Sequence, residues 1–236
     1  MNELHLFAGC GGGILGGILL GHTCVCAVEI EAYRRSTLLQ RQRDGMLPRF
    51  QIWDDVRTFD GTPWSGTVDC LCGGFPCQDI SSANTNAVGI TGPKSGLWKE
   101  YKRIVKEINP TLVFIENSPI LRLRGLEVVL EDLAEIGYDA TWDIFSAAFS
   151  GADHIRKRMF ILAYSNEAQL ERLCVPFRVH SKHANTCGSN WWKNQSRLER
   201  VADGMANRVE RLEAIGDGQV PAVAARAFLT LLERFE

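Results

Sequence analysis

The sequence has no secretory signature and no stretch fit to cross a bilayer. Met1, Asn2 and Glu3 carry no basic n-region, and the apolar run over residues 14–20 is too short to span a membrane. A cytoplasmic protein without membrane contact is expected. A strong charge bias is also missing: 26 Lys and Arg stand against 28 Asp and Glu, a net charge of −2, which argues against a generic polyanion binder but leaves room for a local basic face. No internal repeat is visible, so a solenoid or propeller is excluded. The 236 residues, 45% hydrophobic and 23% charged, suit one soluble α/β domain with a full core and a small appended lobe. The eight cysteines, in a reducing compartment, read as thiols rather than a disulfide framework.

The chemistry is expected at residues 69–81. A short apolar run over 68–72 ends in Gly73 and Gly74, and the chain then turns through Phe75 and Pro76 before presenting Cys77. Pro76 fixes its own φ and pushes Phe75 extended, which holds the thiol on a stiff turn beyond a strand end. Ligands of open α/β sheets sit at such ends. The plainer reading, that Cys77 is a small buried hydrophobe like most free cysteines, is set aside only by the rest of the chain.

Residues 3–8 read as a buried strand, followed by Gly9, Gly11, Gly12 and Gly13 and an apolar helix through Leu20. This is a nucleotide-cradling unit, but the last glycine of a G-x-G-x-x-G fingerprint would fall on Ile14. That departure fits an adenosine ligand without a pyrophosphate better than NAD. A second strand over 23–28 ends in Glu29, placed to accept hydrogen bonds from ribose hydroxyls or, more plainly, to remain a solvated carboxylate. A polar, basic helix over 31–43 and a weak strand over 50–53 follow. Asp54 or Asp55 is positioned to bond an adenine amine. Residues 79–96 form a long polar loop. A helix over 97–108 stops at Asn109 and Pro110, and the β-branched run 111–115 is a central parallel strand that brings Glu116 and Asn117 to the edge where Cys77 lies. A helix over 125–136 and a strand over 138–145 come next. The basic segment 154–158 leads into an apolar strand ending at Tyr164, and alternation sends Arg156 and Arg158 to one face. Residues 165–196 lose periodicity and form a small irregular lobe. A closing helix from about 222 to 235 packs back on the sheet.

With those segments placed, the chain resembles the DNA (cytosine-5) methyltransferases over most of its length. Residues 7–12 are similar to the family's first S-adenosylmethionine motif, 74–78 to its Pro-Cys-Gln loop, and Glu116 and Asn117 to its Glu-Asn-Val motif, with Ser118 for valine. His154, Arg156 and Arg158 are similar to Gln-x-Arg-x-Arg, with His154 for glutamine, and 216–221 to the closing Gly-Asn-x-x-Val-Pro, with Asp217 for asparagine. Five motifs in order make a specific match.

The resemblance implies a doubly wound, Rossmann-like S-adenosyl-L-methionine-dependent fold: a catalytic domain over 1–164, a target-recognition lobe over 165–196, and a segment over 197–236 that returns to the catalytic domain. It implies transfer of a methyl group to C5 of cytosine in double-stranded DNA. Cys77 adds to C6, Glu116 donates to N3, Arg156 holds O2, and Arg158 braces the site or meets phosphate. The implied cofactor contacts are Phe7, Ala8, Gly9, Gly11, Gly12, Glu29, Asp55, Val56, Pro76, Leu97 and Asp217, with Trp98 an alternative to Leu97. The target base must be flipped out, and the 79–96 loop is the candidate lid.

The lobe is short for base-specific readout, which allows for an accessory recognition partner to an otherwise monomeric enzyme. Its Arg172, Arg178, Lys182, Lys193, Arg197 and Arg200 suit phosphate. Cys174, His180, His183 and Cys187 have irregular spacing and no C-x₂-C pair, and no metal is predicted. An RNA cytosine methyltransferase of the same fold and a non-catalytic nucleic-acid-binding relative are the alternatives. A flavin or NAD oxidoreductase is disfavoured by Ile14 and by the Pro-Cys-Gln turn.

Overall fold

The computed structural model describes residues 1–76, 96–165 and 208–235. Cys77, the expected loop as far as residue 95, and the expected lobe from residue 166, with its basic residues and its Cys and His group, lie outside them. Seven strands form one sheet: β1 (Asn2–Leu6), β2 (Thr23–Val28), β3 (Gln51–Trp53), β4 (Cys70–Gly73), β5 (Leu112–Asn117), β6 (Asp139–Ser146) and β7 (Lys157–Tyr164), in the order β3-β2-β1-β4-β5-β7-β6. The first five strands are parallel, and β7 runs antiparallel between β5 and β6. Strand order reverses between β1 and β4, the switch point at which doubly wound sheets open a crevice.

The period of two along each strand decides which layer it feeds. On one face Leu4, Leu6, Leu71, Val113, Ile115 and Ile161 pack against α3 (Leu97–Ile108) and against α5 (Leu126–Glu135), which follows the short α4 (Leu121–Arg124). On the other, Cys70, Cys72, Leu112, Phe114 and Leu162 meet the last long helix, Pro221–Leu232. Two earlier helices, α1 (Gly12–Leu19) and α2 (Ala32–Arg43), close a third cluster with Ile14, Cys24, Ala27 and Leu38.

Helix α3 has the bounds that the apolar spacing predicts. Trp98, Tyr101, Ile104, Val105 and Ile108 form its buried stripe, and Asn109, left-handed at φ 49°, ends it before Pro110. The closing helix begins at Pro221, a residue pre-shaped for the first helical position, and stops at Leu232, short of the expected Phe235. Two helices were not expected from sequence: α4, and α6 (Arg208–Asp217), whose last turn carries Gly216 and Asp217. We number the closing helix α7. Among the described residues no helix is long and apolar enough to cross a membrane.

Candidate active site

The strand ends at the switch point enclose a cleft of about 350 Å³. Its walls come from the end of β1 (Leu6 to Gly9), the end of β2 (Glu29 to Glu31), the end of β4 (Gly73 to Pro76), the end of β5 (Glu116 to Ser118), Arg158 at the start of β7, and residues 217–219. The volume lies within the range of small-molecule sites.

Backbone geometry makes the cleft. Phe7 has φ 53°, uncommon for a bulky residue and costly unless its surroundings impose it; it turns the chain out of β1 while its ring stacks 6.5 Å from Tyr101. Gly73 allows β4 to approach β1, since a Cβ there would lie 2.3 Å from the Leu6 carbonyl oxygen. The Glu29 carboxylate fastens the glycine turn to the end of β2: Gly9 N–H donates to Oε2 at 2.7 Å and Glu31 N–H to Oε1 at 2.9 Å. Each oxygen keeps a second acceptor position.

At the far end stands Glu116, buried beside Gly74, where any Cβ would meet its Oε2 at 2.7 Å. Nε of Arg158 approaches Oε1 at 2.8 Å, but off the N–H axis, so Oε1 has no hydrogen-bond partner among the described residues. Burial pushes the carboxyl up to about 7; the charges of Arg158 and Arg156 oppose the rise and that of Asp217 adds to it. Next in the strand, Asn117 donates from Nδ2 to the Phe75 carbonyl at 3.2 Å. That bond, with Phe75 packed 5.2 Å from Trp98, fixes the turn that leads to Pro76.

The expected residues fall into two groups. Phe7, Ala8, Gly9, Glu29, Pro76, Glu116, Arg158 and Asp217 share the cleft. Gly11 and Gly12 lie behind it, where a Cβ would meet Leu38 Cδ2 at 2.9 Å and the Gln219 carbonyl oxygen at 2.2 Å; they permit close packing rather than line the wall. Asp55 is engaged by the Arg57 guanidinium at 2.7 Å. Val56 is in the main core, its carbonyl accepting from Arg103 Nη2 at 2.9 Å, and Leu97 packs against that core. None of these three lines the cleft. Trp98 is buried, its indole N–H donating to Asp132 at 2.7 Å.

Both arginines reach one side of β7, as alternation predicts, and both donate to the Gly216 carbonyl, Arg158 from Nη2 at 3.4 Å. Arg156 donates from Nη2 to the carbonyls of Gly216 at 2.5 Å and Gly218 at 2.8 Å, bracing the turn after α6, while Arg158 faces Glu116. Arg156 Nε is buried without a hydrogen-bond partner among the described residues. The aspartate at 217 is balanced from across the cleft by Arg34, at 2.7 Å. Arg34 and His5 line the cleft outside every motif, and Gln219 does so from an unspecified position of the 216–221 motif. Only the helical phase of Arg34, one turn into a basic helix, hinted at it.

The geometry has relatives. A solved Entamoeba histolytica methyltransferase, EhMeth, superposes with a TM-score of 0.57 at 16% identity, covering 70% of this chain and 53% of that one, a likeness of fold. The type II methyltransferase M.CviJI of Paramecium bursaria Chlorella virus IL3A is 34% identical over 173 residues, 73% of this chain and 45% of its own length. M.Eco47II of Escherichia coli is 34% identical over 170 residues, 70% of this chain and 39% of its own. The chain thus spans less than half the length of these two relatives. The family model described as C-5 cytosine-specific DNA methylase matches residues 1–219, from the first strand through the turn that Arg156 braces, and the chain belongs to that family.

Proposed function

We propose that the chain transfers a methyl group from S-adenosyl-L-methionine to C5 of cytosine in double-stranded DNA, by way of a covalent bond between Cys77 and C6 of a flipped-out base. The observation that carries this reading is Glu116: a buried carboxyl raised to about 7, set between two arginines at the end of the cleft opposite Glu29. A carboxyl that keeps its proton near neutrality donates to N3 of cytosine and drains charge from the ring as the thiolate adds. Arg158 lies nearest the carboxyl, and the buried Nε of Arg156 is a donor with capacity left for the base's O2.

The cleft fits the cofactor on its own terms. The Glu29 oxygens retain acceptor positions for ribose hydroxyls, and the glycine turn leaves open space: nothing lies within 4 Å of a Cβ placed on Gly9. When bound, the cofactor supplies an electrophilic methyl group. The chain's residues do the rest. Cys77 bonds to C6, so that the C5 carbon becomes electron-rich. After the methyl group arrives, the C5 proton leaves to a base and the sulfur departs with its bonding electrons. The basic residues of 166–200 supply phosphate contacts.

The test is tritiated methyl transfer from S-adenosylmethionine to unmodified DNA and to RNA, with Cys77→Ala beside the wild type. Labelled DNA from the wild type and none from the variant is expected. Label that survives Cys77→Ala removes the mechanism, and label confined to RNA removes the DNA substrate.

A further inference from the structure

At the switch point the register of β1 and β4 sets Glu3 beside Cys70 and His5 beside Cys72. Glu3 and His5 are alternate residues of one strand and share a face, as do Cys70 and Cys72. Glu3, His5 and Cys72 meet under α1 and α7, and all three are buried. One ligand atom from each, a carboxylate oxygen, an imidazole nitrogen and the thiol sulfur, lies within 4.8 Å of the other two. The reaction above uses none of them.

The surroundings make room for one small ion. A cavity of about 10 Å³ adjoins the three side chains, the space of about one water. Gly13, Gly16 and Gly17 of α1 border it, so backbone rather than side chain faces the group there; a Cβ at Gly17 would fall 2.0 Å from Glu3 Oε2. Outer contacts orient the donors, as they do around metal ligands. His22 Nδ1 lies 2.5 Å from Glu3 Oε1, which fixes the carboxylate while Oε2 lies 2.9 Å from His5 Nε2. Cys70 Sγ is 3.5 Å from Cys72 Sγ, within reach of an S–H bond to a thiolate.

We propose that Glu3 Oε2, His5 Nε2 and Cys72 Sγ hold a zinc ion between β1 and β4, with a water as the fourth ligand in the cavity that Gln219 also lines. An oxygen, a nitrogen and a sulfur together suit a borderline-soft ion, and the thiolate disfavours magnesium and calcium. Two anionic ligands balance the charge of the ion. Binding releases the Cys72 thiol proton; the ion takes the lone pair at His5 Nε2, and the one proton left on that ring sits on Nδ1. Tetrahedral zinc sets such ligands roughly 3.3–3.8 Å apart, so movements on the order of 1 Å close the site. The ion ties the strand that leads into the glycine turn to the strand that leads to Pro76, and it takes no part in methyl transfer.

Cobalt(II), a zinc substitute with visible absorption, tests this on the full chain after chelator treatment under reducing conditions. Tetrahedral d–d bands and a thiolate charge-transfer band are expected, and zinc should abolish both. Cys72→Ala loses the thiolate band, and His5→Phe weakens cobalt binding at least about tenfold. Cys174→Ser/Cys187→Ser keeps the band, which separates this site from metal held by residues 166–207. Should Cys72→Ala or His5→Phe fail to fold, X-ray absorption at the zinc edge of the Cys174→Ser/Cys187→Ser protein reads the same site and should find one sulfur among the ligands. A wild type with no thiolate band, a band undiminished in Cys72→Ala or lost with Cys174 and Cys187, or a zinc edge with no sulfur or more than one, overturns the proposal.

Discussion

Glu116 offers a perturbation whose size follows from the structure. Its carboxyl rises from 4.5 in the unfolded chain to about 7 in the fold, chiefly through burial. The folded state holds that proton more tightly, so the contribution to stability is fully present below pH 4.5 and is lost as pH rises through about 7. Glu116→Gln fills the same space with a neutral side chain and has no proton to lose. Integrating the two titrations between pH 5 and pH 8.5 gives about 2.5 kcal/mol that the wild type loses and the variant keeps. Urea unfolding of both proteins across that range measures it, because the remaining titrations are common to both. The stability difference is expected to move in favour of Glu116→Gln as pH rises, even as the variant loses methyl transfer. Parallel stability curves would refute the claim that a buried neutral carboxyl stands at the end of the cleft.

Three more substitutions probe α1 and the far side of the cleft. Gly17→Ala sets a methyl group 2.0 Å from Glu3 Oε2, the oxygen that His5 holds while His22 holds Oε1, so α1 must move; a loss of about 1–3 kcal/mol or more is expected in thermal unfolding, against a neutral or slightly stabilising Gly216→Ala, whose Cβ meets nothing within 4 Å. Asp217→Asn removes the charge that raises Glu116, so the alkaline limb of methyl transfer against pH shifts to lower pH. The lost pair with Arg34 should cost less than about 1 kcal/mol, since the Asp217 side chain is 68% exposed.

Much of the sheet was legible because its strands are buried on both faces. Residues 23–28 and 97–108 could be bounded from apolar spacing alone, and the strand ends that carry Glu29, Gly74 and Glu116 followed from where the apolar runs stop. The short α4 escaped because four residues give no period to detect; α6 escaped although Val209, Leu212 and Ile215 recur three residues apart, because ten residues of polar mean composition hold only that one short apolar stripe.

The site divides along the same line. Residue type and order placed a carboxylate and a glycine turn at one sheet edge, since in a parallel sheet every strand delivers its next residues to the same side; the two arginines, at the start of β7, reach that edge because β7 runs antiparallel, which the sequence did not show. That Arg158 meets Glu116 while Arg156 reaches the Gly218 carbonyl, and that Asp55 is taken by Arg57, depend on side-chain directions that sequence spacing does not specify. The sequence by itself determined the fold and the chemical cast of the cleft, because burial and strand termination are written in local pattern. Only the tertiary structure decided that Glu3, His5 and His22 form one buried network beneath it, because their bonds join residues as far as 19 positions apart and arise only when β1 is paired with β2.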